Sequence, residues 1–595
     1  MCGIFGIVTE RDCELGPILM EAGQRLSYRG YDSVGCATVS AGGIDLRKDV
    51  GKIEEVNARL HFDNMRGQRG ILQLRWATFG EPVPENAQPH LDCDGDLAGA
   101  HNGNITNNLQ LRELLMRKGH TFRGENDGET CVHLVEHYFD QCHDMVEAIR
   151  QAYKDLSGDY ALIIMQREDN RLYAIKKGMG LVIGLGNEFT CCSSDLPSIL
   201  PLTRRILRMQ DGEIAILTPQ RAELRRVSDG SLVERDPEFY QGDIEATEKG
   251  NYSHFMLKEI HEEPSVARKL LRFLEESAEV THFLEGIREG NPVFFIGCGC
   301  SYNASLLGAY YFNLIASKLV IPLSPMQFIE QCSHSVDAQA TAVFVSQSGE
   351  TKDILNATQL ARRKGMRSLG VLNVQGSTLA TLTDRYLPLA CGYEISVPAT
   401  KTFLNEAILF LYLAHRLAGA DTGPLTHLPE LLERTLEQTG PQAERLAERL
   451  AQWDDLYYLG YGITHPIAQE GALTLKKIAY SHCEGIFSSE FKHGPLSAVR
   501  QGYPVVFITA PDDVEMMINH ISEVTCRKGF AVAIAEECER LRKNVHEYIS
   551  VPASGQLFNP LLATVVVQLV AYHTSVKRGL DPDFPRNLSK TLTVD

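Results

Sequence analysis

The chain of 595 residues is several times the ~100–200 residues of an ordinary domain, so three or four domains are expected. Its 58 basic and 76 acidic residues give a net charge of −18 without a polybasic block, which argues against nucleic acid or an anionic membrane as the main partner and favours small-molecule chemistry. No stretch reaches the ~20 apolar residues of a membrane span, no secretory signal is read at the amino terminus, and the 15 scattered cysteines are expected as reduced thiols in cytoplasm.

The chain opens Met1-Cys2-Gly3-Ile4-Phe5-Gly6-Ile7-Val8. Trimming of Met1 would leave Cys2 as the terminal residue, its thiol within reach of its own α-amine, which titrates at about 7.7–8.0. One residue could then be nucleophile and base. Ile4 to Val8 reads as a buried strand holding that terminus. The plainer alternative is an apolar strand whose cysteine is incidental.

Four polar stretches follow. Tyr28-Arg29-Gly30-Tyr31-Asp32-Ser33 is a glycine-centred turn. Leu74-Arg75-Trp76-Ala77-Thr78-Phe79 sets an arginine, a planar fork suited to a carboxylate, beside one of two tryptophans. In His101-Asn102-Gly103 an amide donor and a glycine N–H could hold an oxyanion. Glu125-Asn126-Asp127-Gly128-Glu129 supplies acids for an ammonium group before the helical Val132 to Tyr138. Each alone reads more readily as a capped helix or tight turn. Together they hold the ingredients for hydrolysing an amino-acid amide.

Cys2-Gly3-Ile4, Tyr28 to Ser33, Arg75 to Thr78, His101 to Gly103 and Asp127, in that order, resemble the glutaminase half of the glutamine–fructose-6-phosphate aminotransferase (isomerising) family. The resemblance implies that Cys2 attacks the glutamine amide and that Asn102 and Gly103 form the oxyanion hole. It implies that Arg75, Thr78 and Asp127 bind glutamine and that Trp76 gates an ammonia passage. Phe79 and Gln88 stand where the family usually has histidine.

After residue 280 the sequence repeats itself. Phe294 to Gly299 matches Tyr457 to Gly462, Ala342 to Val345 matches Val505 to Ile508, and Leu369-Gly370-Val371 matches Val532-Ala533-Ile534, all at an offset of 163 positions. β-Branched strands alternating with helical segments predict two parallel sheets covered by helices. In the first copy the strand runs into Ser346-Gln347-Ser348-Gly349-Glu350-Thr351, hydroxyls and free N–H groups at a helix start, which reads as a phosphate cradle. The second copy has Thr509-Ala510-Pro511-Asp512, where a proline removes a donor and an acid repels phosphate. One phosphate site per chain is expected. Cys298-Gly299-Cys300 and Cys191-Cys192 lack a second ligand pair at zinc spacing, so no metal is expected.

The repeats resemble a pair of sugar isomerase (SIS) domains. By that resemblance Ser301, Ser346, Gln347, Ser348 and Thr351 bind a sugar phosphate, and Val397, Thr400 and Lys401 line the site. His493 opens the sugar ring, and Lys590 in the tail forms a Schiff base. Where Thr474 and Lys477 stand, the family usually has lysine and a glutamate that serves as the isomerising base. Lys477 with a lowered pKa, another acid such as Glu470 or Glu394, or amination without isomerisation are the readings left open. The fold class implied is multidomain α+β and α/β: a layered amino-terminal-nucleophile glutaminase domain (2–220), a linker (221–284), a first doubly wound SIS domain (285–424), a helical connector (425–448), a second SIS domain (449–585) and a tail (586–595). The implied activity is amination of a keto-sugar phosphate by glutamine, most readily fructose 6-phosphate to glucosamine 6-phosphate, without metal or organic cofactor, in a homodimer. The alternatives are a related amidotransferase acting without isomerisation and a sugar-phosphate sensor with decayed catalysis.

Overall fold

The strand Gly3–Glu14 anchors the first layers because its side chains alternate between two apolar faces. Ile4 and Val8 point into a core shared with Ala98, Ala100, Ala161 and Ile163 of a second sheet. Phe5 and Ile7 point the other way, onto Leu19 and Leu26 of the helix Gly16–Leu26 and onto Leu15 just before it. The first sheet has eight strands, with Gly3–Glu14 between Arg66–Arg75 and Phe189–Ser193. The second has seven and carries Leu97–Ile105 beside Gly158–Gln166. Its outer face is covered by the helices Asn108–Arg117, Asp127–Cys142 and Met145–Asp155. The order is therefore helix, sheet, sheet, helix.

This computed structural model describes residues 2–240 and 249–592. Met1, residues 241–248 of the expected linker and residues 593–595 of the expected tail lie outside the described residues. Residues 2–240 with 589–592 form one compact unit, and 249–588 form another. The tail bearing Lys590 thus groups with the first unit.

In the second unit each copy of the repeat builds a five-stranded parallel sheet of the same order, with its first strand placed second. The 163-residue offset is kept in the pairing. Phe294 faces Ala342 and Tyr457 faces Val505; Val343 faces Leu369 and Val506 faces Val532. The first strands end at Gly297 and Gly460, where an added Cβ would meet backbone atoms of Ser301 at 2.6 Å and Thr464 at 2.5 Å. Only glycine lets the following helix pack so closely.

The two copies share one apolar core. It is built by the helices Phe255–Glu276, Cys300–Ala316, Lys401–Ala418, Leu428–Leu450, His465–Ala479 and Asn559–Lys577.

The expected linker 221–284 requires correction. Arg221–Arg226 pairs with Glu213–Thr218 as a strand of the second sheet, Glu238–Phe239 pairs with Arg205 and Ile206, and Phe255–Glu276 is a helix packed into the second unit's core. No described helix is long and apolar enough to cross a membrane.

Candidate active sites

Cys2 stands at the head of the strand Gly3–Glu14, 7% exposed. Its Sγ accepts the Trp76 backbone N–H at 3.3 Å. Burial pushes the thiol up from its ordinary pKa, while that N–H and the Arg75 guanidinium pull it back and Asp127 adds to the rise.

Arg75 is 1% exposed. It donates to the carbonyls of Phe79, of Gly80 at 2.7 Å and of Glu81 at 3.1 Å, while its Nε has no hydrogen-bond partner. Gly30 lets this strand end come close, since a Cβ there would lie 2.7 Å from the Arg75 carbonyl carbon. Asp32 accepts the Ala77 N–H at 2.8 Å. Trp76 is half-buried with Tyr31 edge-on at 6.0 Å, and Thr78 is exposed.

The strand Leu97–Ile105 carries Asn102 and Gly103. Asn102 is fully buried, and neither its amide oxygen nor its nitrogen has a hydrogen-bond partner. Gly103 has φ +115°, and a Cβ would lie 2.0 Å from the Asp159 carbonyl oxygen. Asp127 opens the helix Asp127–Cys142 and accepts the Ile105 N–H at 3.0 Å, tying helix to strand. Gln88 is a residue whose part the sequence did not reveal. Its side chain accepts the His101 N–H at 2.7 Å and donates to the His101 carbonyl at 3.0 Å, fixing the backbone beside Asn102.

In the second unit Cys298 to Ser301 follow the first strand and Ser346 to Thr351 follow the third of the same copy. That is where the strand order reverses and where open α/β sheets take their ligands. Ser346 Oγ accepts the Gly349 N–H at 3.1 Å and lies 3.4 Å from Thr351 Oγ1, and Ser348 Oγ accepts the Glu350 N–H at 3.2 Å. Gln347 and Ser348 are half-buried, and Thr351 precedes the helix Lys352–Arg363. Ser301 donates to Glu406 at 2.8 Å. Val397 donates its N–H to the Asp583 carbonyl at 2.8 Å, and Thr400 donates its own to Glu394 at 3.0 Å. Lys401 is buried, its ammonium 2.6 Å from Glu262. Burial opposes that charge, but Glu259 and Glu262 outweigh it and hold the pKa above the ordinary lysine value. His493 is exposed.

Of the readings left open for Lys477, its surroundings oppose a lowered pKa. Its Nζ lies 3.0 Å from Cys300 Sγ. Burial pulls its pKa down, but Cys300, Glu470 and Glu394 carry it above the ordinary value. The group is a cation. Cys300 is pushed up to about 12, first by burial and then by Glu470, against the pull of Lys477. Glu470 is buried, accepting from Asn303 at 2.8 Å and Thr474 at 3.2 Å. Glu394 is taken up by the N–H groups of Thr400 and Thr402. Cys300 and Asn303 sit three apart on one helix, and Glu470, Thr474 and Lys477 fall at i, i+4 and i+7 on another. Helical spacing could have disclosed this cluster.

Comparison with known proteins adds to this geometry. A SIS domain model matches residues 286–416 and 449–578, and a glutamine amidotransferase domain model matches 75–199. Curated proteins named glutamine–fructose-6-phosphate aminotransferase (isomerizing) align over 100% of both chains. They include that of Methanothermobacter thermautotrophicus at 39% identity, that of Pyrobaculum aerophilum at 38% and that of Aquifex aeolicus at 37%. Among solved structures, the C-terminal domain of glucosamine-fructose-6-phosphate aminotransferase from Francisella tularensis covers 57% of this chain and 100% of its own, at 28% identity and TM-score 0.53. The tagatose-6-phosphate ketose/aldose isomerase of Escherichia coli, at 17% identity and TM-score 0.51 over 56% of this chain and 95% of its own, shares the fold.

Proposed function

The chain belongs to the glutamine–fructose-6-phosphate aminotransferase (isomerising) family, and from that membership we propose how its residues divide the work of making glucosamine 6-phosphate. L-Glutamine and D-fructose 6-phosphate are the substrates, and L-glutamate and D-glucosamine 6-phosphate the products. The single observation that carries the first half is Asn102, fully buried with both amide atoms unpartnered. A buried donor is left unpaired at a cost unless something transient takes it. The oxyanion formed when Cys2 attacks the glutamine amide is such a group, with the Gly103 N–H as second donor. Arg75, Thr78 and Asp127 take the α-carboxylate and α-amine of glutamine. Hydrolysis of the thioester by water gives glutamate, and the ammonia released passes Trp76 to the sugar.

On the sugar side, Ser346, Gln347, Ser348 and Thr351 hold the phosphate at the helix start, with Ser301 beside them and Val397, Thr400 and Lys401 framing the site. His493 assists ring opening and Lys590 forms the Schiff base that ammonia displaces. The isomerising step moves a proton from C1 to C2. Lys477, as a cation, cannot accept that proton, and Glu470 is the carboxylate of its cluster. We assign the base role to Glu470 and give Lys477 the task of holding charge beside it. Amination without isomerisation is the second reading, favoured only by the cationic Lys477. The chain is proposed to divide into 2–240, two SIS domains with their helical connector, and a tail, and to work as a homodimer in cytoplasm; light scattering on the purified protein reads the assembly.

The test is to supply glutamine labelled at its amide nitrogen, with and without fructose 6-phosphate, and follow glutamate and the label by NMR. Label at C2 of an aldose 6-phosphate is the expected result. Glutamate without labelled glucosamine 6-phosphate would overturn the isomerising assignment. The Cys2→Ala variant should lose glutamine use and keep sugar binding.

A further inference from the structure

Away from the thiol chemistry, three separate segments of the first unit bring four metal-ligating side chains together. Cys93 comes from the turn between the strands His90–Leu91 and Leu97–Ile105, and His120 from the segment between the helices Asn108–Arg117 and Asp127–Cys142. His133 and Glu136 come from one face of the helix Asp127–Cys142. Each offers one donor atom, and all four atoms lie within 4.8 Å of one another. From this convergence we propose that the four residues form a closed structural site for a divalent transition metal, with zinc as the ion of best fit.

The position of the sulfur fits an ion held between the two imidazoles. Cys93 Sγ is 3.7 Å from His120 Nδ1 and 3.7 Å from His133 Nδ1. A tetrahedral zinc with a sulfur at about 2.3 Å and nitrogens at about 2.0–2.1 Å separates its sulfur and nitrogen ligands by about 3.6 Å. A thiol satisfied by hydrogen bonding would close on one imidazole, whereas this sulfur is equidistant from both. Glu136 Oε2 faces the same two nitrogens at 2.9 and 2.7 Å. Those edges are shorter than coordination requires, and the carboxylate has to withdraw by about half an ångström to admit the ion.

Charge and the surrounding shell agree. One thiolate, one carboxylate and two neutral imidazoles neutralise a divalent cation, so the partly buried site carries no net charge. The mixed sulfur, nitrogen and oxygen donors suit zinc, and four protein ligands leave no open position for substrate. The ligands are held from outside, as metal ligands ordinarily are. The Thr121 N–H donates to Cys93 Sγ at 3.4 Å, and the Cys93 N–H donates to Glu136 Oε1 at 3.0 Å. His120 Nε2 lies 3.4 Å from His137 Nδ1. Arg123 closes the same turn on the carbonyls of Leu91 and Asp92 at 3.1 and 3.0 Å. An ion here would staple the hairpin turn and the preceding segment to the helix that begins at Asp127.

The test uses the full chain, with Zn²⁺ and Co²⁺ as probes. Protein freed of metal by a chelator, reloaded with Zn²⁺ and gel-filtered should retain about one zinc per chain by elemental analysis and melt higher than the metal-free form. Loading with Co²⁺ should give the thiolate charge-transfer absorption and the strong d–d bands of a tetrahedral ion. Cys93→Ser should abolish the charge-transfer absorption and lower affinity by at least about tenfold, in line with the loss of a site-supporting group. His120→Ala gives a second reading if the serine variant folds poorly. Cys2→Ala should keep the full zinc content, which separates this site from the reactive thiol. Wild-type protein retaining less than a tenth of an equivalent would overturn the proposal. So would full retention in both Cys93→Ser and His120→Ala, or loss of zinc in Cys2→Ala.

Discussion

Replacing Asn102 by alanine separates catalysis from stability in opposite directions. The side chain is fully buried and neither amide atom is hydrogen-bonded, so it burdens the fold by about 1–3 kcal/mol. Truncation removes that burden and leaves a small void costing about 1 kcal/mol. The folded unit should therefore range from unchanged to about 2 kcal/mol more stable. For a unit of this size each kcal/mol moves the melting temperature by about 2–4 °C, so calorimetry should show no fall and a rise of up to about 8 °C. Loss of an oxyanion donor should lower kcat for glutamate release by about 10²–10³-fold, or about 3–4 kcal/mol of transition-state stabilisation. KM for glutamine should change little, because the interaction exists only with the oxyanion. Coupled assay of glutamate release gives both constants. A variant that melts several degrees lower, or one whose kcat stays within about threefold of wild type, would refute the reasoning.

Other outcomes follow from the second unit. Gly349 has φ +66°, and a Cβ there would lie 2.1 Å from Ser377 Oγ; Gly349→Ala should raise KM for fructose 6-phosphate more than about tenfold while basal glutamate release is unchanged, as steady-state kinetics on both substrates will read. Glu470→Gln should reduce labelled glucosamine 6-phosphate by about 10²-fold or more, the usual worth of a general base, whereas Lys477→Met should cost less than about tenfold; the reverse order would return the base role to Lys477. Burial lowers the His465 pKa to about 4, below an unfolded value of about 6.5, so the folded chain resists protonation. Its contribution is complete above pH 6.5 and is lost as pH falls toward 4, about 3 kcal/mol in all. Urea melts of wild type and His465→Gln at pH 7.5 and 4.5 should thus differ in their pH dependence, and parallel curves would exclude His465 as the cause.

Much of this architecture is legible in the residues. Ile4 to Val8 alternate between faces, and the alternation became a central strand with a core on either side. The 163-residue offset reappears in the strand pairing because each apolar β-branched run can bury itself only in one register. What escaped reading depends on partners remote in the chain. Arg221–Arg226 carries four charges in six residues and only Ala222 and Leu224 as apolar alternation, too short a run to read as a strand, yet its backbone pairs into a sheet and both of those side chains meet the core. Gln88 gave no sign that it fixes the His101 backbone. Cys93, His120, His133 and Glu136 have no ligand spacing typical of zinc, because two loops and a helix face assemble them. The cation at Lys477 was visible, but its pKa depended on Cys300 from a facing helix and on Glu470 two turns back along its own.

The hydrogen bonds of Arg75 have a kinetic side. Its guanidinium already holds the carbonyls of Phe79, Gly80 and Glu81, so in the role proposed for it a substrate carboxylate would enter by exchange and not by filling an idle fork. The turn from 79 to 81 is thereby a tethered competitor of the substrate, present at high local concentration and released whenever the substrate wins. Such a competitor multiplies the apparent affinity by the fraction of time the fork is open, while sparing the empty site a buried, uncompensated positive charge. Loosening that turn is then a route to tighter substrate capture that leaves every catalytic group in place.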